Sequence, residues 1–183
     1  MELFDLSKVN RKNAHFDIDK CLWLNAQHLS KTPLTQFRDA CVPFLVKAGV
    51  HYKSAEALDP VLEIVREKIK LLSEVPAWVD YFFKEDYSFD SDAVKKAFAH
   101  PSTADRLRLL SAEFEACAEW RAAPIEAALK QTASALGAKP NELLLPTRVA
   151  ASGRAAGPNL FAMLEILGKG RVLARLKCSR HPD

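Results

Sequence analysis

The sequence predicts an all-α protein built as two helical subdomains in series. Three observations carry that prediction. Apolar residues recur at helical spacing through nearly every segment, no stretch alternates with the period of two that a half-buried strand needs, and no internal repeat appears. The 183 residues, 49% hydrophobic and 27% charged, have the ordinary balance of a globular chain with room for one or two small cores.

Ile18, Leu22, Ala26 and Leu29 form the first stripe, with Asp17 placed to cap it. Leu34, Phe37, Cys41 and Leu45 form the second, which Pro43 is expected to bend. Asp59-Pro60 opens a third helix that turns Leu62, Val65, Ile69 and Leu72 inward. A shorter helix over about 74–84 carries Trp78, Tyr81, Phe82 and Phe83. Residues 85–92 are acidic and irregular, and read as the joint between subdomains. Beyond them comes a short helix over 92–99, closed by Pro101, and then the stripe Leu107, Leu110, Phe114, Cys117. Ile125, Leu129, Thr132 and Leu136 follow Pro124, and Gly137 closes their helix. Further helices open at Pro146, at Pro158 and near Lys169, the last two turning Leu160, Leu164, Leu167, Val172 and Leu176 inward.

Composition excludes several classes of function. No segment reaches the roughly 18 apolar residues of a membrane span, and the N-terminus lacks signal-peptide regions, so a cytoplasmic protein without membrane contact is expected. The cysteines at 21, 41, 117 and 178 form no C-x-x-C pair and have no histidine at ligand spacing. They read as small core residues, and no metal site is expected. The net charge of +3 is unevenly spread. Residues 144–183 hold seven Lys/Arg against Glu165 and Asp183, a balance of +5, which leaves −2 for the rest. Such asymmetry is the footprint expected of a phosphate-bearing partner.

The densest signal lies at residues 145–154, Leu-Pro-Thr-Arg-Val-Ala-Ala-Ser-Gly-Arg, followed by Gly-Pro-Asn-Leu-Phe at 157–161. Each half reads as a helix with a proline in its first turn, and Gly153 and Gly157 break the chain into a corner carrying Arg148 and Arg154. Helix N-termini at Pro146 and Pro158 would present unpaired N–H groups to an anion or a base acceptor. Arg148 in a first turn would be opposed by the helix dipole, a conflict that an incoming anion relieves. Arg154 is expected at the exposed corner. The residues alone leave two readings open, a recognition corner or two solvent-facing arginines.

This corner resembles the anticodon-reading corner of bacterial glutamyl-tRNA synthetases, where P-L-R-x-A-x-T-G is followed by G-P-x-L-F. The resemblance implies that Arg148, Pro158, Leu160 and Phe161 lie against unstacked anticodon bases, with Arg154 adding a polar contact. Apolar side chains holding splayed bases, with arginine on their edges, suit a single-stranded loop. At least one of Leu160 and Phe161 is also needed by the core. Residues 4–9 and 15–25 resemble the family segment F-x-L-x-x-V…F-D-x-x-K-L-x-W-L-N, with Trp23 expected in the core and Lys8, Arg11 and Lys12 as phosphate contacts. Residues 43–49, 164–169 and 171–176 also read as family segments, so the likeness runs from about residue 3 to 177.

The implied fold resembles the α-helical anticodon-binding cage of class I synthetases, with residues 1–30 a remnant of the linking segment, 31–85 a first subdomain and 86–183 a second. The implied partners are glutamate-accepting tRNA and the protein's own N-terminal catalytic domain. That domain, absent from this chain, would use ATP and Mg. Because the chain opens inside a family segment, Met1 is expected to be a boundary and not a native start. Thr147 departs from the family's leucine, Ser152 from its threonine, and Gly170 from the glutamate of L-G-K-E-R, where glycine weakens a helix by roughly 1 kcal/mol. Where some members check the last anticodon base with an arginine, this chain offers Lys68 and Lys70, which lack arginine's planar fork.

No H-x-G-H or K-M-S-K-S pattern, glycine-rich phosphate loop, G-x-S-x-G or H-E-x-x-H occurs. The chain is therefore expected to be non-catalytic on its own, with no catalytic residue and no cofactor of its own. Its parent would be a glutamate–tRNA ligase. The alternative is a helical scaffold protein that kept the fold and lost tRNA binding.

Overall fold

The computed structural model describes residues 17–178, and the expectations for Lys8, Arg11, Lys12 and the family segment at 4–9 lie outside them. Among the described residues the chain forms ten α-helices and no strand, as the periodicity predicts. The first four are α1 (Ile18–Lys31), α2 (Leu34–Lys47), α3 (Ala55–Val65) and α4 (Val75–Phe83). After residues 84–90 come α5 (Ser91–Ala97), α6 (Thr103–Ala116), α7 (Ala122–Ala135), α8 (Asn141–Ser152), α9 (Leu160–Leu167) and α10 (Lys169–Cys178).

The Asp17 carboxylate caps α1 by accepting from the Lys20 N–H at 3.0 Å. Yet α1 buries no residue. Trp23, expected in the core, is 59% exposed, and Ile18 and Leu24 are exposed as well. Only the side of α1 bearing Leu29 meets the core. The Asn25 amide, which donates to the Lys70 carbonyl, fixes the helix there. In α2 the stripe Phe37, Cys41, Leu45 is fully buried, and Arg38 clamps Asp59 of α3 through Nη1 at 2.9 and 3.2 Å.

Three proline readings are corrected, the first being that α9 starts at Leu160 behind an Asn159 cap, which leaves Pro158 just outside the helix and not in its first turn. α3 starts at Ala55, not at Pro60, and α8 starts at Asn141, not at Pro146. Each of these two prolines is the sixth residue of its helix, so its missing N–H costs only the bond to the carbonyl four residues back. The third stripe also breaks early. After Val65 the chain tightens into a 3-10 turn, Arg66–Lys68, and Ile69 returns to the core in extended conformation.

One apolar core joins both halves of the chain. Phe37, Leu45 and Leu62 belong to the same buried cluster as Leu110, Leu129 and Leu164. A small satellite of Ala93, Ala97 and Val149 seats α5 on α8. Residues 84–90 are pinned to the end of α8. The Tyr87 hydroxyl donates to the Ala150 carbonyl at 2.6 Å, and the Asp90 N–H donates to the Gly153 carbonyl at 2.9 Å. Gly153 caps α8 with φ +74°, and a Cβ there would run into the Ser88 carbonyl oxygen, so glycine is needed twice over. No described helix is long and apolar enough to cross a membrane.

Candidate nucleic-acid interface

Where the start of α9 approaches the end of α3 lies a cleft of about 580 Å³, lined by Glu63, Glu67, Lys68, Arg148 and the turn 157–159. It falls in the size range of small-ligand pockets. Arg148 enters it from the middle of α8, so the expected conflict with a helix dipole does not arise. A different conflict takes its place. Arg148 Nη1 is buried with no hydrogen-bond partner, and among the described residues no hydrogen bond or ion pair engages its guanidinium. Burial pulls its pKa down, and the nearby Tyr81 pulls it partly back. The Tyr81 hydroxyl is likewise buried without a partner, and burial raises its pKa. A charged donor out of water with nothing to donate to is an expensive arrangement.

Gly157 explains how the guanidinium fits. A Cβ on Gly157 would stand 2.5 Å from Arg148 Nη1, so the missing side chain is the space the arginine occupies. Pro158 is buried beside it. Asn159, which also lines the cleft, caps α9, its Oδ1 accepting from the N–H groups of Phe161 at 3.0 Å and Ala162 at 3.1 Å.

The residues expected to form the corner separate into two groups. Arg148, Pro158 and Lys68 share the cleft. The others do not line it. Arg154, expected at an exposed corner, is instead half-buried and paired with Asp80 through Nη2 at 3.1 and 3.2 Å, its guanidinium 5.8 Å from the Tyr81 ring centre. Leu160 is only 4% exposed and belongs to the core, and Phe161 packs half-buried against it. Lys70 lies elsewhere, its backbone bonded to Glu74 and Asn25. Sequence reasoning missed Glu63, Glu67 and Asn159. Asn before an apolar helical run is a readable cap, but nothing in the sequence marks the two glutamates as cleft wall.

Elsewhere the described arginines have partners. Arg175 of α10 is the clearest case, donating to the carbonyls of Ala151 at 2.6 Å, Tyr81 at 2.8 Å and Lys84 at 3.0 Å, with its guanidinium 4.2 Å from the Tyr87 ring centre. Among the described residues, no three His, Cys, Asp or Glu side chains gather where a metal ion could sit.

Comparison with known proteins gives this geometry a context. Residues 36–180 match the family described as "Anticodon binding domain". The chain is 34% identical over 175 residues to a glutamate–tRNA ligase of Elusimicrobium minutum, covering 94% of this chain and 36% of that protein. It is 35% identical over 185 residues to the glutamate–tRNA ligase of Pelodictyon phaeoclathratiforme, covering 96% of this chain and 37% of the relative. Among solved structures it is similar to a glutamate tRNA ligase from Elizabethkingia meningosepticum, crystallised in complex with its amino acid. The TM-score is 0.81 at 25% identity, over 96% of this chain and 34% of that one. The chain therefore spans little more than a third of the length of these relatives.

Proposed function

The chain belongs to the anticodon binding domain family, and from that premise we propose that its Arg148 cleft receives an unstacked base from the anticodon loop of a glutamate-accepting tRNA. The observation that carries this reading is Arg148 Nη1, a buried cationic donor with no partner of its own. Its desolvation is compensated only when an acceptor arrives, and a base edge supplies acceptors in the plane of a guanidinium. Lys68 on the cleft wall adds a second cation, and Pro158 offers an apolar surface beside it. Leu160 and Phe161 serve this site by holding α9 against the core. Arg154 serves it by tying the turn after α8 to Asp80 on α4.

The larger activity would belong to the whole protein. There this chain would hold the anticodon while a catalytic region outside it, using ATP and Mg, joins glutamate to the tRNA in the cytoplasm. The residues of this chain bind and orient, and take no part in bond formation.

The test is a titration of the chain against a glutamate tRNA and an anticodon-swapped copy at two salt concentrations. Binding should weaken on the swap, and Arg148→Ala should cost roughly tenfold or more on the intact anticodon. Phosphate contacts made along the basic 144–183 segment should appear as a salt slope common to both RNAs. Equal binding to both copies, unchanged by Arg148→Ala, would leave a non-specific basic surface. No binding even at low salt would favour the scaffold alternative, in which the fold outlived its RNA.

A further inference from the structure

A second cleft opens beside the same two helices that border the Arg148 cleft. It holds about 420 Å³ and is lined by Pro60 of α3, Phe83, Ile166 of α9 and the basic residues His51, Lys53 and Arg171. Pro60, Ile64 and Lys68 fall four residues apart, so one stripe of α3, extended by the turn after it, serves both clefts. On α9 the cap residue Asn159 serves the first cleft and Ile166, seven residues on, the second. Seven residues of helix rise about 10 Å, so the clefts are the two ends of one short groove.

Their charges differ. In the first cleft Glu63 and Glu67 balance Lys68 and Arg148. No carboxylate lines the second, where Lys53 and Arg171 carry full positive charge and His51 adds a ring N–H. Among the described residues no hydrogen bond or ion pair engages the Lys53 ammonium or the His51 ring. Arg171 is held at the mouth by the Phe82 carbonyl, which accepts from Nη1 at 2.7 Å, and by the exposed Glu85 at 3.1 Å from Nη2. A guanidinium has five N–H donors, so others remain for a ligand. A formally neutral lining suits a base, whereas surplus positive charge suits a phosphate.

We infer that the second cleft holds the sugar–phosphate backbone of the strand whose base enters the Arg148 cleft, with Lys53, His51 and Arg171 receiving phosphates and Pro60 and Phe83 carrying a sugar. The inference rests on the base reading proposed above. Continuity of the groove makes the occupant a strand and not a lone anion, because a group that fills both ends must carry a base and nearby phosphates together. Phosphates are the same at every nucleotide, so these residues add affinity and fix register without reading sequence. His51 and Lys53 lie outside the basic 144–183 segment, so the charge asymmetry of the sequence does not point to them.

The experiment titrates the full 183-residue chain with the anticodon stem-loop of a glutamate tRNA and with its anticodon-swapped copy across a salt series. Lys53→Ala should weaken binding to both RNAs by the same factor, roughly fivefold near 0.1 M salt, and flatten the log–log salt slope by about 0.7. Lys53→Arg should keep the wild-type slope. So should Lys95→Ala, which removes a lysine of α5 that lies 3.9 Å from Asp92. The preference between the two RNAs, which Arg148→Ala should abolish, should survive Lys53→Ala. Stem-loops with one loop phosphate at a time replaced by an uncharged methylphosphonate locate the contact. The replacement that costs the wild type most should cost Lys53→Ala almost nothing. If slope and methylphosphonate pattern stay unchanged in Lys53→Ala while Arg148→Ala still loses the preference, the base cleft stands and the second cleft does not hold the strand. If Lys95→Ala flattens the slope as much as Lys53→Ala, the effect is a diffuse field and the inference falls. If the wild type binds neither RNA, or if Arg148→Ala and Lys53→Ala both change nothing, the base reading and this inference fall together. Lys53→Ala removes no hydrogen bond or ion pair made among the described residues, so its circular dichroism melting curve should overlay that of the wild type.

Discussion

Arg148 and Arg175 stand on helices that pack against each other, and both are withdrawn from water, but their surroundings differ completely. Arg175 ends on three backbone carbonyls: those of Tyr81 in the last turn of α4, Lys84 just beyond it, and Ala151 near the end of α8. Helix ends leave such carbonyls without intrahelical partners, and one guanidinium satisfies three of them across three segments. Among the described residues, Arg148 lies near a Tyr81 hydroxyl that is itself unpartnered, and its Nη1 has no acceptor. Arg175 completes the fold, whereas Arg148 is left incomplete by it. Two arginines of the same basic segment thus separate into a fastening and a buried donor left open.

Arg175→Ala should test that division with the largest effect. It leaves two buried carbonyls and that of the more exposed Lys84 short of a donor and removes the stacking on Tyr87, which together should cost roughly 3 kcal/mol in urea unfolding. Arg175→Lys should recover only part of this, because three rotatable donors on a point charge cannot span the same fork. A loss below about 1 kcal/mol for the alanine variant would mean that the carbonyls find water and that the junction is no fastening.

Tyr87 belongs to the same junction, and its substitution comes next in size. Tyr87→Phe loses the bond to the Ala150 carbonyl and should cost about 1–1.5 kcal/mol at neutral pH. It should also change the alkaline behaviour. Burial pushes the Tyr87 phenol from 10 up to about 12, with Arg175 pulling it partly back. A folded pKa raised above the unfolded one adds stability that is complete below pH 10 and disappears as pH climbs through 12. The wild type should therefore weaken between pH 10 and 12, and Tyr87→Phe should weaken less steeply there. Urea unfolding at neutral pH and near pH 11 measures both effects.

Arg148 should respond with the opposite sign. Replacing an uncompensated buried cation with an apolar chain of similar length is neutral or favourable, so Arg148→Met should leave stability unchanged or raise it by up to roughly 1 kcal/mol. The same variant should lose anticodon discrimination. Gly157→Ala should act alike on RNA by pushing the guanidinium aside. If Arg148→Met destabilised the chain as much as Arg175→Ala, the contrast between the two arginines would be wrong.

Local patterns in the sequence made much of this fold legible. The stripes Phe37-Cys41-Leu45 and Ile125-Leu129-Thr132 and the Asp17 cap needed only spacing to be read, because helix periodicity is a local signal. Pro60 and Pro146 misled because proline marks a first turn by preference only, and a helix with enough buried residues beyond the proline tolerates one missing bond. Arg148 stands out in the sequence through its motif, and the structure sets it in the cleft. That Arg154 is held by Asp80, 74 positions away, and Arg175 by carbonyls up to 94 positions away, was not. Long-range pairing leaves no periodic trace, and a basic residue reads the same whether it will be saturated or left open. Glu67 was invisible as cleft wall because its neighbours there, Arg148 and residues 157–159, are about 80 or more positions away.

The smallest expected effect concerns the helix that carries Arg175. Gly170 is the second residue of α10, where a Cβ would meet nothing within 4 Å. Glycine there costs backbone entropy without any steric return, so Gly170→Ala should stabilise the chain by about 0.5 kcal/mol, less than mid-helix because first turns weigh propensity lightly. The value of so small a change lies in coupling. If Arg175 fastens a helix that is already formed, Gly170→Ala and Arg175→Ala should add within about 0.3–0.5 kcal/mol. If α10 is formed only through the Arg175 bonds, the gain from alanine should grow when Arg175 is removed, because propensity then decides whether the helix exists. Combining Gly170→Ala with Arg148→Met should be additive in either case, since the cleft lends α10 nothing.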